Sequence, residues 1–105
     1  MTLEELYAII SERRGGDPET SYVARSFAKG RAKLAQKVGE EAVEAVIAAV
    51  SADRDALVAE SADLIFHLLM LWADAGVAPA DVLEALESRR GTSGIEEKAR
   101  RQETR

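Results

Sequence analysis

The chain has no cysteine at any of its 105 positions, which excludes disulfide bridges and metal sites built on thiolates. It also lacks an excess of basic residues, because 14 Lys and Arg stand against 19 Asp and Glu and give a net charge of −5. A broad nucleic-acid-binding surface needs a basic patch, so we expect no nucleic-acid partner. An acidic protein still binds a phosphorylated ligand when a divalent cation lies between the two.

Two further absences concern the localisation of the protein in the cell. The first residues, MTLEELYAII, lack the basic stretch followed by an apolar run that is typical of a signal peptide. The longest strongly apolar segment, LIFHLLMLWADAG, is too short to span a bilayer and contains a histidine. We therefore expect a cytoplasmic protein with no membrane partner.

Helix signals dominate, and no segment alternates between polar and apolar residues as a strand does. Caps and breakers predict about five helices: residues 3–14, 21–29, 31–50, 53–75 and 79–90. The remaining segment, residues 91–105, is polar and is predicted to be a partly mobile tail. The prediction is a single all-α domain over residues 1–105.

Acidic residues interrupt two of these otherwise apolar helices. Glu40, Glu41 and Glu44 form one stripe of the third helix, between two apolar faces. Glu60 and Asp63 form a narrow stripe of the fourth. An isolated buried carboxylate is costly because it loses its hydration, so these acids either face water or share a compensating partner.

The spacing of the acids predicts that they meet. In an antiparallel hairpin centred on Ala52, Glu44 and Glu60 are each eight residues from the turn, and Glu41 and Asp63 are each eleven. With a rise of about 1.5 Å per residue, E-x-x-E on one helix then faces E-x-x-D on the other in one layer. Four converging carboxylates repel one another, and Mg²⁺ or Mn²⁺ relieves the repulsion. The alternative is an ordinary solvated acidic face.

Other side chains near the acids have two interpretations each. His67 follows Asp63 by four residues, so it either orients that carboxylate beside a metal or makes a local hydrogen bond as a half-buried histidine. A basic cluster precedes the acids and is a candidate for phosphate binding: Lys33, Lys37 and Arg25, with Lys29 and Arg31. The alternative for Lys33 and Lys37 is ordinary pairing with Glu41 and its neighbours four residues on.

These stretches resemble a known family. KVGEEAVEAVIAA followed by ESADLIFHLLMLW resembles the E-E-x-x-E … E-x-x-D pattern of the MazG-like all-α nucleotide pyrophosphohydrolases. LYAIISERR, DPETSYVARSFAKG and RRGTSGIEEKA narrow the resemblance to the phosphoribosyl-ATP pyrophosphohydrolase family. The similarity covers about residues 3–99.

The resemblance implies a chemistry and an architecture. The reaction is Mg²⁺-dependent hydrolysis of the α–β phosphoanhydride of phosphoribosyl-ATP to phosphoribosyl-AMP and pyrophosphate, the second step of histidine biosynthesis, with Mn²⁺ as a substitute ion. The implied metal ligands are Glu41, Glu44, Glu60 and Asp63, and Glu40 is implied to orient or deprotonate the attacking water. The implied fold is a helical bundle around an antiparallel hairpin. Association completes this bundle, so we expect at least a homodimer with the third and fourth helices near the interface.

Two other functions stay open at this level. A house-cleaning pyrophosphohydrolase of the same superfamily acts on nucleoside triphosphates and carries the same acidic pattern. A non-catalytic helical interaction module carries acids that are simply solvated, and such a module binds no Mg²⁺.

Overall fold

The computed structural model describes residues 1–91 and 94–103, which form helices without any strand. The helices are α1 (Leu3–Arg13), α2 (Tyr22–Ala28), α3 (Arg31–Val50), α4 (Arg54–Ala75), α5 (Pro79–Glu87) and α6 (Gly94–Glu103). The predicted all-α class is confirmed, and the first five helices match the predicted ones. α6 lies in the segment that was predicted to be a polar tail, so that prediction missed a helix. Residues 92, 93, 104 and 105 of the same segment lie outside the described part of the chain.

Side-chain caps explain where three helices begin. The Thr2 hydroxyl accepts a hydrogen bond from the Glu5 N–H at the start of α1, and Ser21 caps α2 in the same way. At the start of α4 the Asp53 carboxylate accepts a hydrogen bond from the Ala56 N–H at 3.0 Å. Each cap satisfies a backbone donor that has no partner inside the helix.

A short turn makes α3 and α4 an antiparallel hairpin. The chain reverses at Ser51 and Ala52, and Ala52 adopts a left-handed φ of 56°. An alanine in this region is strained by roughly 1 kcal/mol, which the packing of the two long helices has to offset. α4 ends at Gly76, where φ of 73° suits a residue without a Cβ. The hairpin centre is therefore where the sequence predicted it.

The buried core lies toward the end of the hairpin that is remote from this turn. It consists of Ile10, Val23, Leu34, Leu69, Met70 and Ala73, with aromatic side chains such as Phe27, Phe66 and Trp72 packed against it. α1 and α2 thus cover the end of α4 that follows the acids. By length and composition α4 could also cross a bilayer, but core helices of soluble proteins pass the same test, and α4 here packs on α3 and α1.

The other half of the hairpin leaves an apolar surface uncovered. On α3 this surface consists of Val43, Val46, Ile47 and Val50, all more than half exposed. Val58 and Ile65 of α4 are also exposed. A row of aliphatic side chains at helical spacing on a hairpin is an unusual surface for an isolated soluble chain.

Candidate functional site

The structure brings three of the predicted metal ligands together across the hairpin. One carboxylate oxygen from each of Glu41, Glu60 and Asp63 lies within 4.8 Å of the other two. Glu41 projects from α3, and Glu60 and Asp63 project from successive turns of α4. We call these three residues the acid layer. The mirrored spacing about Ala52 produces it, because that spacing sets the acids at one height on two adjacent helices.

Burial makes the layer unlike an ordinary acidic surface. Glu41 is 4% exposed, Glu60 is half-buried and only Asp63 is open to solvent. Glu41 Oε2 and Glu60 Oε2 are both buried, and neither has a hydrogen-bond partner among the residues that the structure describes. Buried carboxylate oxygens without donors are expensive. A hard divalent cation accepts such oxygens as ligands, so the residues present fit one.

Glu44 joins the layer from the solvent side. Its carboxyl group lies within hydrogen-bonding reach of Glu60 and Glu41, and sharing a proton with them raises the pKa of Glu44 to about 7. Two carboxyl groups this close cannot both ionise cheaply at neutral pH. Binding of a dication would therefore displace this proton.

Among the described residues, Lys37 is the cation that forms an ion pair with the layer. Its Nζ lies 3.1 Å from Glu41 Oε1, one turn along α3. Burial raises the pKa of Glu41, but hydrogen bonds from Lys37 and Glu44 outweigh burial and lower it overall. The same hydrogen bond to Glu41 raises the pKa of Lys37. The pairing that was the alternative interpretation of Lys37 is thus present.

Glu40 lies beside the layer and not within it. It is exposed, and its Oε1 accepts a hydrogen bond from Gln36 at 3.2 Å while its Oε2 lies 3.9 Å from Lys37 Nζ. Glu40 is also part of the wall of the adjacent cleft. Its position leaves the carboxylate accessible to water and separate from the three grouped oxygens.

A cleft with a volume of about 430 Å³ opens beside the acids between α2 and α3. Three lysines on its wall carry positive charge: Lys29, Lys33 and Lys37. Further polar groups of the cleft come from all three helices: Tyr22 and Ser26 of α2, Gln36 and Glu40 of α3, and His67 of α4. The site therefore offers an acidic layer for a cation next to a basic cleft for an anion.

Arg25 and Arg31, two of the candidate phosphate ligands, do not line this cleft. The Arg25 guanidinium donates to the carbonyls of Pro18 at 2.9 Å and Glu19 at 3.3 Å. It therefore fixes the loop before α2. Arg31 pairs with Asp74, which also binds Arg14, far along α4 from the acids.

His67 is buried and uses both ring nitrogens. Nδ1 lies 2.7 Å from the Asp63 carbonyl oxygen, so Nδ1 carries the donated proton. Nε2 lies 2.7 Å from the Tyr22 hydroxyl, which donates to it when the ring is neutral. Of the two interpretations of His67, the local hydrogen bond is therefore the one that the structure contains, made to the backbone carbonyl of Asp63 and not to its carboxylate. The link to Tyr22, 45 residues away, was missed by the sequence analysis because nothing local in the sequence indicates it.

Comparisons with known proteins agree on one family. The family model described as phosphoribosyl-ATP pyrophosphohydrolase matches residues 3–90. A protein named phosphoribosyl-ATP pyrophosphatase from Paramagnetospirillum magneticum is 61% identical over 94% of this chain and 91% of its own length. One of the same name from Azospirillum brasilense is 62% identical over 91% of this chain and 86% of its own length. A third protein of this name, from Rhizorhabdus wittichii, is 59% identical over 95% of this chain and 94% of its own length. The resemblance inferred from the acidic and flanking stretches is confirmed.

Proposed function

Because the chain belongs to the phosphoribosyl-ATP pyrophosphohydrolase family, we propose that it hydrolyses the α–β phosphoanhydride of phosphoribosyl-ATP. Water adds to phosphorus, the bridging P–O bond breaks, and the products are phosphoribosyl-AMP and pyrophosphate. This is the second step of histidine biosynthesis. The observation that carries the proposal is the acid layer beside a cleft lined by three lysines; two buried oxygens of this layer have no hydrogen-bond partner in the described part of the chain.

The acid layer is the proposed site of Mg²⁺, with Mn²⁺ as a substitute. Glu41, Glu60 and Asp63 would hold the ion, and Glu44 would join them after losing its proton. A bound Mg²⁺ supplies charge neutralisation on the phosphate chain and makes a coordinated water more acidic. The position of these acids on two packed helices limits their movement, which favours a preformed site.

The remaining groups have roles that their positions support. Lys29 and Lys33 line the cleft, and their ammonium groups would bind phosphate oxygens. Glu40 is accessible and next to the layer, so it is our candidate for orienting the attacking water or accepting its proton. Tyr22 and Ser26 form the α2 side of the cleft and are candidates for contacts to the ribose and base.

The test is pyrophosphate release from phosphoribosyl-ATP by the purified protein, in Mg²⁺ and in EDTA. We expect turnover that requires the metal. Glu60→Gln and Asp63→Asn should each lower kcat/KM by at least about 100-fold, more than loss of an outer partner of a metal ligand costs. Asp55→Asn is the matched control, because Asp55 is an exposed acid on the same helix outside the layer. Equal activity of all three variants would refute the proposed site.

The two alternative functions predict different results. A house-cleaning enzyme would prefer ordinary nucleoside triphosphates to phosphoribosyl-ATP. A non-catalytic module would bind no Mg²⁺, and Glu41→Gln combined with Asp63→Asn would leave it equally or more stable because repulsion is relieved.

We propose that the enzyme is a cytoplasmic homodimer. The uncovered row of Val43, Val46, Ile47 and Val50 on α3 supports this, because a second copy of the hairpin would bury it. Burying aliphatic surface contributes about 25 cal/mol per Å² and is the main driving force of such association.

A further inference from the structure

Lys37 belongs to two parts of the site at once. Its ammonium group pairs with Glu41 Oε1 at 3.1 Å, and its side chain is also part of the wall of the basic cleft. The Lys37 side chain is 42% exposed, whereas that of Glu41 is 6% exposed. The carboxylate is thus held in place while the lysine keeps room to move.

Glu41 has its two oxygens in different surroundings. Oε1 faces Lys37, and the buried Oε2 has no hydrogen-bond partner in residues 1–91 and 94–103. Glu41 also contributes an oxygen to the group formed with Glu60 and Asp63. Within the described chain, Lys37 is the one cation that forms an ion pair with an acid of this group.

We infer that Lys37 is an exchangeable counter-ion, which neutralises Glu41 when no metal is bound and transfers to the phosphate chain of the substrate when Mg²⁺ occupies the acid layer. This inference rests on the proposed function. An ammonium group and a dication on the same carboxylate repel each other strongly in a partly buried site. A lysine has a flexible four-carbon stem, so it can leave Glu41 and bind phosphate without movement of α3.

The inference predicts an unusual effect on metal affinity. Mg²⁺ binding to the nucleotide-free protein is measured by titration calorimetry at pH 8.5, where Glu44 is ionised. Lys37→Met should bind Mg²⁺ about tenfold more tightly than the wild type, because one competing positive charge is gone. Lys37→Arg keeps the charge and should bind like the wild type.

Lys33→Met is the matched control. Lys33 lines the same cleft one turn earlier on α3, but its Nζ donates to the Gln36 amide oxygen at 3.3 Å and pairs with no carboxylate of residues 1–91 or 94–103. We expect Lys33→Met to leave the Mg²⁺ affinity unchanged. Both methionine variants should raise the KM for phosphoribosyl-ATP, since both remove a cation from the cleft.

Metal-free stability provides the second measurement. In EDTA, Lys37→Met should unfold at a lower urea concentration than Lys33→Met, because Glu41 is then a buried carboxylate without a counter-ion. Saturating Mg²⁺ should remove that difference.

The outcomes separate the two proposals. Unchanged or weaker Mg²⁺ binding by Lys37→Met, with normal binding by the wild type, overturns counter-ion exchange and leaves the proposed function intact. Unchanged affinity would mean that Lys37 only binds phosphate, and weaker affinity would mean that it only orients Glu41. Absence of Mg²⁺ binding by the wild type would overturn both proposals.

Discussion

The hydroxyl of Tyr22 lies 2.7 Å from Nε2 of His67, and this hydrogen bond joins α2 to the helix that carries two of the grouped acids. The other ring nitrogen of His67 bonds the Asp63 carbonyl oxygen. Tyr22 is half exposed and lines the basic cleft. A side chain at the cleft surface is therefore connected through one buried imidazole to the backbone of a metal-ligand candidate.

Loss of this link should be measurable. Tyr22→Phe leaves the buried Nε2 atom of His67 without its partner, so we expect the free energy of unfolding to fall by about 1–2 kcal/mol. Urea denaturation measures it. Tyr7→Phe is the control, because no hydrogen bond of the Tyr7 hydroxyl is found in the described part of the chain. Equal stability of the two variants would mean that the Tyr22 hydroxyl bonds water as well as it bonds His67.

The metal-free protein should lose stability as the pH rises toward neutrality. The pKa of Glu44 is about 7 in the folded chain, because it shares a proton with Glu60 and Glu41, against an ordinary value of 4.5. A raised folded-state pKa contributes stability that is complete below about pH 4.5 and is lost as the pH rises through about 7. The pKa of Glu41 is lowered from 4.5 and the pKa of Lys37 is raised from 10.5, so neither group changes the stability within this pH range.

This dependence is tested by urea denaturation midpoints measured in EDTA between about pH 5 and pH 8, because the raised pKa of Glu44 affects stability in roughly this range. Glu44→Gln should flatten the curve, and saturating Mg²⁺ should abolish the loss because the ion replaces the shared proton. A wild-type midpoint that rises across the window would show that another group dominates.

Arg25 of α2 and Lys29, which follows α2, should differ in their effect on substrate binding. Lys29 lines the cleft, whereas Arg25 is bonded to the Pro18 and Glu19 carbonyls. Lys29→Met should raise the KM for phosphoribosyl-ATP roughly 10- to 100-fold, because a charge-assisted hydrogen bond contributes about 1.5–3 kcal/mol. Arg25→Met should leave KM near the wild-type value and lower stability by about 1 kcal/mol. Steady-state kinetics and urea denaturation of both variants compare them, and the reverse order of KM effects would contradict the structure.

The uncovered row on α3 should determine assembly. Ile47→Asp places a charge in the middle of the proposed interface, and we expect it to shift the protein from dimer to monomer in sedimentation velocity experiments. Leu83→Asp is the matched control, since Leu83 of α5 is exposed to a similar degree, 51% against 56% for Ile47. A dimeric Ile47→Asp variant would place the interface on another surface.

The core should be sensitive at Met70, which is fully buried. Met70→Ala removes packed atoms and leaves a cavity, so we expect a loss of roughly 2–5 kcal/mol in unfolding free energy. Leu86→Ala is the comparison, because Leu86 is 54% exposed and its truncation should change stability by about 0.5 kcal/mol or less. Thermal and urea unfolding measure both.

The features that the sequence by itself determined are those that depend on local geometry. Helical periodicity, caps such as Thr2 and Asp53, and the breakers at Gly30 and Gly76 define the first five helices, because each acts within a turn or two of the chain. The acid layer belongs to the same class, since two long helices joined by a short turn bring residues at equal distances from Ala52 to one height. The polar composition of residues 91–105 indicated no packing face, and α6 was missed for that reason.

Only the tertiary structure decided how α2 sits on the hairpin, and much of the site depends on that placement. It sets Tyr22 against His67, turns Arg25 toward the preceding loop and leaves Lys29 in the cleft. The packing of α1 and α3 on α4 brings Arg14 and Arg31 to Asp74, although Asp74 lies on the same face of α4 as Glu60 and Asp63. The contacts of Tyr22 with His67 and of Arg31 with Asp74 join residues 45 and 43 positions apart, and they follow from how the helices pack around one core rather than from any spacing along the chain.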